Sequence, residues 1–507
     1  MTLRLTLVLT AAMLAVAAPA HASRSQESIV QDDRLLQNFG TGEQVVALRE
    51  LDLLGVDTVH AVVNWNTLAP KPNASKPPKG VDLKDPASYD AERWKVLDSL
   101  VREAYFRNID VLMSPSTPGP IWAQRCTKAE QRRARIKGIC RIDPKLYGQF
   151  VTALAKRYSG VYVDSNDPTG FPLPKVRRWS ISNEPNLSAW LYPSAVRVRG
   201  KLVPVSAKLY REMVYASGNA LRANGHRSDQ ILLGETGPLG QGTSRTAPVT
   251  FYQALFCIDD RGRRLRGAGA KRLGCPKRVK PLPVNGVAHH PYTKGAAQKL
   301  TARQRRTDVT IAAIPVLRRV LRQGAHVRAI SSSAAGRIYF TEFGVSSTPP
   351  SKPRRYGVSL AKQAEYINQF EYMSYVNPAV RGVAQFQLED DPLAAGSGGG
   401  RRTFQTGLRF TATRSQLMQG LLGTAKPSRA AYRLPLFVVD RGSKLTIWGG
   451  VRSADSGTVK IFNRGKAVKS VRLRSGYFIT SLGKRKGTWQ LRFGNLRSRT
   501  ARPVKLR

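Results

Sequence analysis

Residues 178–186 read Arg-Trp-Ser-Ile-Ser-Asn-Glu-Pro-Asn. Trp179 and Ile181 are strand-forming, and Pro185 stops the run because proline lacks an N–H donor and fixes its own φ. Glu184 therefore belongs at the C-terminal rim of a strand, with its carboxyl facing a cavity rather than a core. A similar rim lies about 160 residues later, where Arg337-Ile338-Tyr339-Phe340-Thr341 runs into Glu342-Phe343-Gly344. Strand-end glutamates so far apart converge only if a closed or strongly curved sheet gathers the strand ends. The parallel (β/α)8 barrel does this at its C-terminal face.

Working outward, strand and helix signals alternate from about residue 27 to residue 425, as repeated βα units require. Strands are expected at Ile29–Gln31, Asp57–Trp65, Ile109–Met113, Arg178–Ser182, Ile231–Glu235, Val284–Tyr292, Arg337–Thr341 and Gly382–Leu388. Helical faces separate them; Tyr147, Phe150, Val151, Leu154 and Tyr158 form one such stripe. The last helix is expected near Ser415–Leu422. From about Tyr432 the texture becomes short strands between Gly, Ser, Asp and Asn, which predicts a small C-terminal all-β sandwich. The expected division is 1–22 leader, 23–428 barrel and 429–507 sandwich.

The leader is read from Arg4, an apolar run from Leu5 to Ala18, and Ala20-His21-Ala22 as a cleavage site. The run is short for a membrane span of about 20 residues, so the expectation is an exported protein whose mature chain starts near Ser23. Export agrees with the cysteines, which form two local pairs, Cys126 with Cys140 and Cys257 with Cys275. Their spacing contains no Cys-x2-Cys and no adjacent His cluster, which argues against zinc. As disulfides, each stapling a basic loop, they would contribute about 3 kcal/mol apiece in the chain-entropy model.

The 507 residues carry 82 Lys or Arg against 33 Asp or Glu, a formal charge of +49. Such a field attracts polyanions and is screened by salt. No helix-turn-helix, zinc finger or aromatic RNA-binding signature accompanies it. For an exported chain, anionic envelope polymers or acidic polysaccharides are the expected partners, with a merely solvated basic surface as the alternative. Residues 430–507 alone hold 19 Lys or Arg against 2 Asp. That module either binds an anionic polymer or packs on the barrel as a cap.

Asn183-Glu184-Pro185 at one strand end and Thr341-Glu342-Phe343-Gly344 at a later one resemble the clan of retaining glycoside hydrolases on TIM barrels, with families 5 and 39 nearest. The resemblance covers roughly residues 27–425. It implies Glu184 as acid/base and Glu342 as nucleophile, with no metal and no organic cofactor. It implies further that Asn183 bonds a sugar 2-hydroxyl, that Tyr292 touches the nucleophile and that His290 lies near the sugar. The acid must hold a raised pKa while the nucleophile stays ionised. Trp65 and Trp122 are candidates to stack on sugar rings, Trp190 less so. Glu235 ends strand five and lines the cleft outside the catalytic pair.

Two positions depart from the family pattern. His60 stands on strand two where an Arg is usual, and Phe386 followed by Gln387 stands on strand eight in place of a Trp. These bear on the surroundings of the nucleophile and on the innermost sugar subsite, so no substrate is carried over from cellulases. The implied activity is retaining hydrolysis of a β-linked poly- or oligosaccharide. The alternative is a catalytically idle barrel that holds an anionic wall polymer by charge.

Overall fold

A computed structural model describes residues 26–38, 41–167, 170–350, 357–393 and 403–506. The expected leader and its cleavage site lie outside them. Among the described residues eight parallel strands close into a barrel. They are β1 (Glu27–Gln31), β2 (Thr58–Asn64), β3 (Asp110–Ser116), β4 (Arg178–Ile181), β5 (Gln230–Thr236), β6 (Gly286–His289), β7 (Ile338–Phe340) and β8 (Val380–Phe386). Each pairs with its neighbours in sequence, and β1 closes the ring against β8. β2 shows why these segments are barrel strands: Thr58 to Val63 are all buried, as expected for a parallel strand covered on both faces.

Seven helices return the chain between strands: α1 (Thr41–Leu54), α2 (Ala91–Phe106), α3 (Pro144–Arg157), α4 (Ser206–Ala223), α5 (Pro248–Phe256), α6 (Ile314–His326) and α7 (Leu360–Tyr375). α3 shows the local code. Asp143 caps it by accepting from the Lys145 and Leu146 N–H groups, and Pro144 fills the first helical position. Its expected stripe is buried at Tyr147, Phe150, Val151 and Leu154. The eighth helix corrects the expectation. Residues 414–418 form one short helical piece, and Gly420 at φ +65° follows it. The helix that seats against the barrel is α8 (Pro427–Arg433), where Asn368 of α7 donates to the Ala431 carbonyl at 2.8 Å.

After α8 come two antiparallel sheets. One holds β9 (Leu436–Asp440), β10 (Lys444–Gly450) and β13 (Tyr477–Gly483). The other holds β11 (Thr458–Asn463), β12 (Lys466–Arg472), β14 (Trp489–Phe493) and β15 (Leu496–Arg497). Val438, Ile447 and Phe478 of the first meet Val459, Ile461, Trp489 and Leu491 of the second in one core, a sandwich distinct from the barrel's core. The sandwich docks on α7. Tyr372 and Tyr375 pack with Phe437, Trp448 and Tyr477, and Arg452 is ion-paired with Glu371 at that seam. Both expected disulfides, Cys126–Cys140 and Cys257–Cys275, are formed.

Candidate active site

The chain leaves β4 through two residues in the left-handed region, Ser182 at φ 62° and Glu184 at φ 36°. Non-glycine residues held there cost about 1–3 kcal/mol each. Neighbouring strands hold the turn in place. Ser182 N–H donates to the Pro115 carbonyl at 3.1 Å, Asn183 N–H to Ser116 Oγ at 2.9 Å, and Glu184 N–H to the Glu235 carbonyl at 3.1 Å. Gly237 makes room for the carboxyl, since a Cβ there would lie 2.7 Å from Glu184 Oε1. Asn186 holds that glycine in place, accepting from Gly237 N–H at 2.8 Å and donating to its carbonyl at 3.0 Å.

Across the mouth, Glu342 follows β7 and His290 follows β6. His290 Nδ1 lies 3.2 Å from Glu184 Oε1 and 3.4 Å from Glu342 Oε2, so one buried imidazole stands between both carboxylates. The ligand atoms of Glu184, His290 and Glu342 all lie within 4.8 Å of one another. The same three groups are the ones that could surround a divalent cation. Burial pushes Glu342 up to about 7; the His290 charge pulls against that push, and the Glu184 carboxylate reinforces it. Burial acts to lower His290, but the charges of Glu342 and Glu184 outweigh it and lift His290 to about 9. The upward push thus falls on the residue expected to stay ionised.

The adjacent histidines divide their work. His289 is hydrogen-bonded to Thr236 Oγ1 and to the Val309 carbonyl, both at 2.8 Å, and burial drives it down to about 3, so it is neutral and structural. His290 alone faces the carboxylates. The Tyr292 hydroxyl is buried with no hydrogen-bond partner among the described residues, and burial together with the nearby Glu342 charge keeps the phenol protonated. Its ring stacks on Phe343, which stacks in turn on Phe370 of α7 at 3.8 Å.

Directly beneath lies a second pair. His60 Nε2 is 2.9 Å from Glu235 Oε1, and both side chains are 0 % exposed. Burial acts to raise Glu235, but the charge of His60 carries it below the usual carboxylate value. Burial likewise acts to lower His60, and Glu235 carries it above the usual value. Glu235 therefore sits under the site rather than lining the cleft.

The remaining candidates separate by exposure. Asn183 is 3 % exposed and its Oδ1 has no hydrogen-bond partner among the described residues, an acceptor held in reserve. Phe386 is half-buried at the end of β8 and donates its N–H to the Phe343 carbonyl at 2.8 Å. Trp65 and Trp122 do not serve as sugar platforms. Trp65 is 0 % exposed and stacked on Phe150, while Trp122 is 5 % exposed and set edge-on against Trp65. Gln387 is buried, and both ends of its amide are turned into the loop beyond β8 rather than toward Glu342. Nε2 donates to Asp391 Oδ1 at 2.6 Å, and Oε1 accepts from the Thr406 hydroxyl at 2.7 Å. Trp190 is half-buried. The residue that sequence reasoning missed is Phe404, 53 % exposed and edge-on to Phe386 at 5.2 Å. It stands 18 positions beyond Phe386 in a stretch with no periodic signal.

No protein-family model and no curated protein sequence matches the chain. Solved structures with a similar course of chain include a monomeric β-xylosidase from Caulobacter crescentus CB15. It is 15% identical with a TM-score of 0.47, over 92% of this chain and 95% of that one. An endo-β-1,4-mannanase from Thermotoga petrophila is 11% identical with a TM-score of 0.39, over 96% and 98%. An FMN-binding β-glucuronidase from Facaelibacterium prausnitzii L2-6 is 11% identical with a TM-score of 0.40; it aligns with 97% of this chain, which spans 57% of its length. At such identities the likeness is one of architecture.

Proposed function

We propose that the protein is a secreted glycoside hydrolase that cleaves a β-linked poly- or oligosaccharide with retention of configuration, Glu184 as acid/base and Glu342 as nucleophile. The observation that supports this best is the meeting of two carboxyls from β4 and β7 on either side of His290, with their oxygens within 4.8 Å. Retaining hydrolysis uses carboxyls about 5–5.5 Å apart, whereas inversion needs about 6.5–9.5 Å to seat a water.

In the first step Glu342 attacks the anomeric carbon while Glu184 protonates the departing oxygen, leaving a glycosyl ester on Glu342. In the second step Glu184 takes a proton from water, which displaces Glu342. The proton must stand on Glu184 and not on Glu342 when the bond breaks. His290 Nδ1, within reach of both, supplies that exchange. It donates toward Glu184 and its positive charge favours an ionised Glu342. Asn183 Oδ1 accepts from a sugar hydroxyl, and the Tyr292 hydroxyl steadies the Glu342 carboxylate.

Export rests on the apolar N-terminal run and on the two disulfides. No helix among the described residues is long and apolar enough to cross a membrane. The +49 charge would hold the enzyme on anionic envelope polymers. Washing intact cells with rising salt should release it.

The test is a panel of aryl β-glycosides with the anomer of the first-formed product read by NMR. A 2-fluoro aryl glycoside should leave its sugar on the peptide containing Glu342, and a chelator should leave turnover unchanged. An inverted first product, or label on another carboxyl, would overturn the reading. The idle-barrel alternative expects no turnover from any substrate on the panel.

A further inference from the structure

His60 lies in the barrel floor with both ring nitrogens facing acceptors. Nδ1 is 2.8 Å from Gln31 Oε1 and 3.2 Å from the Thr341 carbonyl. A carbonyl only accepts, and the Gln31 amide nitrogen is already directed to Asp33 Oδ2 at 2.9 Å, so its oxygen is the atom turned to His60. Nδ1 must therefore carry a proton. Nε2 meets the Glu235 carboxylate at 2.9 Å with no exposure on either side chain. A neutral ring would leave an ionised carboxylate buried against a lone pair, a costly arrangement. Nε2 and Glu235 Oε1 stand at ion-pair distance without a hydrogen bond between them, so the geometry fits an imidazolium that donates through Nδ1 and balances the Glu235 charge across Nε2. Its position also ties four strands together: β2 carries it, β1 and β5 supply its side-chain partners, and the residue after β7 supplies the carbonyl.

Thr341 immediately precedes Glu342, so the group that fixes its carbonyl fixes the start of the turn that presents Glu342. We propose that His60, clamped between Glu235 and the Thr341 carbonyl, is a positioning residue for Glu342, anchoring its strand end and supplying a buried positive charge beneath its carboxyl. This rests on Glu342 being the nucleophile.

The charged groups facing His60 are Glu235 from β5, Asp33 beyond β1, His290 beyond β6 and Glu342 beyond β7. Glu235 and Asp33 favour its charge and His290 opposes it. The charge of His60 in turn acts to lower Glu342, against the burial that raises it. Loss of that charge therefore makes Glu342 hold its proton to higher pH. Glu235→Gln has the same consequence by another route, because His60 without its counter-charge gives up its proton in a buried site.

The experiment follows carbodiimide modification of Glu342 against pH by peptide mass spectrometry, in wild type, His60→Gln, Glu235→Gln and the double variant. The reagent attacks the protonated carboxyl, so the midpoint reports the ionisation of Glu342 whether or not a substrate is turned over. Either single change should move the midpoint up by about one pH unit, a tenfold change in ionised fraction on the acid side. The double variant should move it no further than His60→Gln, because the His60 positive charge is lost in every case. His60→Arg, which restores a fixed charge, should bring the midpoint back down. A merely structural role would lower the melting temperature and leave the midpoint in place; an unmoved midpoint in a folded variant overturns the proposal. If the variants do not fold, 15N NMR of wild-type histidines decides it: two protonated ring nitrogens on His60 at neutral pH support the proposal, and one overturns it. A shifted midpoint in a protein that hydrolyses no glycoside would overturn the proposed function and leave the His60–Glu342 coupling standing.

Discussion

Lys426 and His290 are both buried cations on the C-terminal side of the barrel, and both face carboxylates. Lys426 has its three donors placed on three acceptors, Asp390 Oδ1 at 2.6 Å, Ser347 Oγ at 2.9 Å and the Gln405 carbonyl at 3.4 Å. His290 instead divides one nitrogen between Glu184 and Glu342, which are 16 % and 13 % exposed, and its Nε2 has no hydrogen-bond partner among the described residues. Buried polar groups are normally satisfied, and a cluster left short marks a place where something else completes it. Lys426 ties the β8 loop to the end of the β7 loop with every donor of its ammonium placed, although Asp390 Oδ2 beside it has no partner among the described residues. Under the proposed function, a bound sugar would complete the His290 cluster.

The largest effects should separate these two cations cleanly. Glu342→Ala should lower kcat by roughly 10^4-fold or more while the melting temperature holds or rises, since one member of a like-charged pair is gone. Added azide should restore part of the turnover and give a product of opposite anomeric configuration. Lys426→Met should do the reverse. It strands Asp390 in a buried site at a cost of about 3–5 kcal/mol, seen as a lower denaturation midpoint, with kcat per folded molecule unchanged. A catalytic defect from Lys426→Met, or a large stability loss from Glu342→Ala, would break the contrast.

The pH dependence sharpens the same contrast from the catalytic side. As the proposed nucleophile Glu342 must be ionised to attack, and burial holds it near 7, so kcat/KM should rise tenfold per unit up to about pH 7. His290, proposed to supply the proton to Glu184, keeps its own up to about 9, so activity should fall again above that. The expected profile is a bell with limbs near 7 and 9 in the free enzyme. An optimum in the acid range would mean that Glu342 ionises at the usual carboxylate value and that His290 is not the proton's source.

The two catalytic candidates were legible because the chain interrupts a strand at each of them. β4 ends at Ile181 where Ser182 turns to φ 62°, a few residues ahead of Pro185, and β7 ends at Phe340, a few residues ahead of Gly344. The strand count was legible from alternation alone. What could not be read was depth. Trp65 ends a strand as a platform residue would, yet it stacks inside the core on Phe150, because the pattern gives a side chain's position along the strand and not which layer covers it. Gln387 ends β8 at the expected place, but φ 72° turns its amide into the loop and onto Asp391. The pairing of His60 with Glu235 joins residues 175 positions apart across the barrel floor. No local pattern carries it. The raised proton affinity of Glu342 follows from its burial, which sequence does not record.

Phe404 gives the smallest effect and the finest test of where the sugar lies. Its ring is 53 % exposed, yet it is not loose. Its N–H donates to Asp391 Oδ2 at 2.7 Å, its carbonyl accepts from Asp391 N–H at 2.9 Å, and its edge meets Phe386 at 5.2 Å. The same Asp391 carboxylate holds Gln387, so one acidic residue presents the aromatic pair beside the strand that bears Phe386. Under the proposed function, an exposed ring fixed in this way would contribute to binding about equally in ground and transition states. Phe404→Ala should therefore raise KM about three- to tenfold, in line with the ~1 kcal/mol of an aromatic contact, and leave kcat unchanged. Phe386→Ala, whose backbone is hydrogen-bonded to Phe343 next to Glu342, should lower kcat as well. Equal KM effects with no change in kcat for either substitution would move the reacting sugar away from β8 and toward the Trp190 side of the mouth.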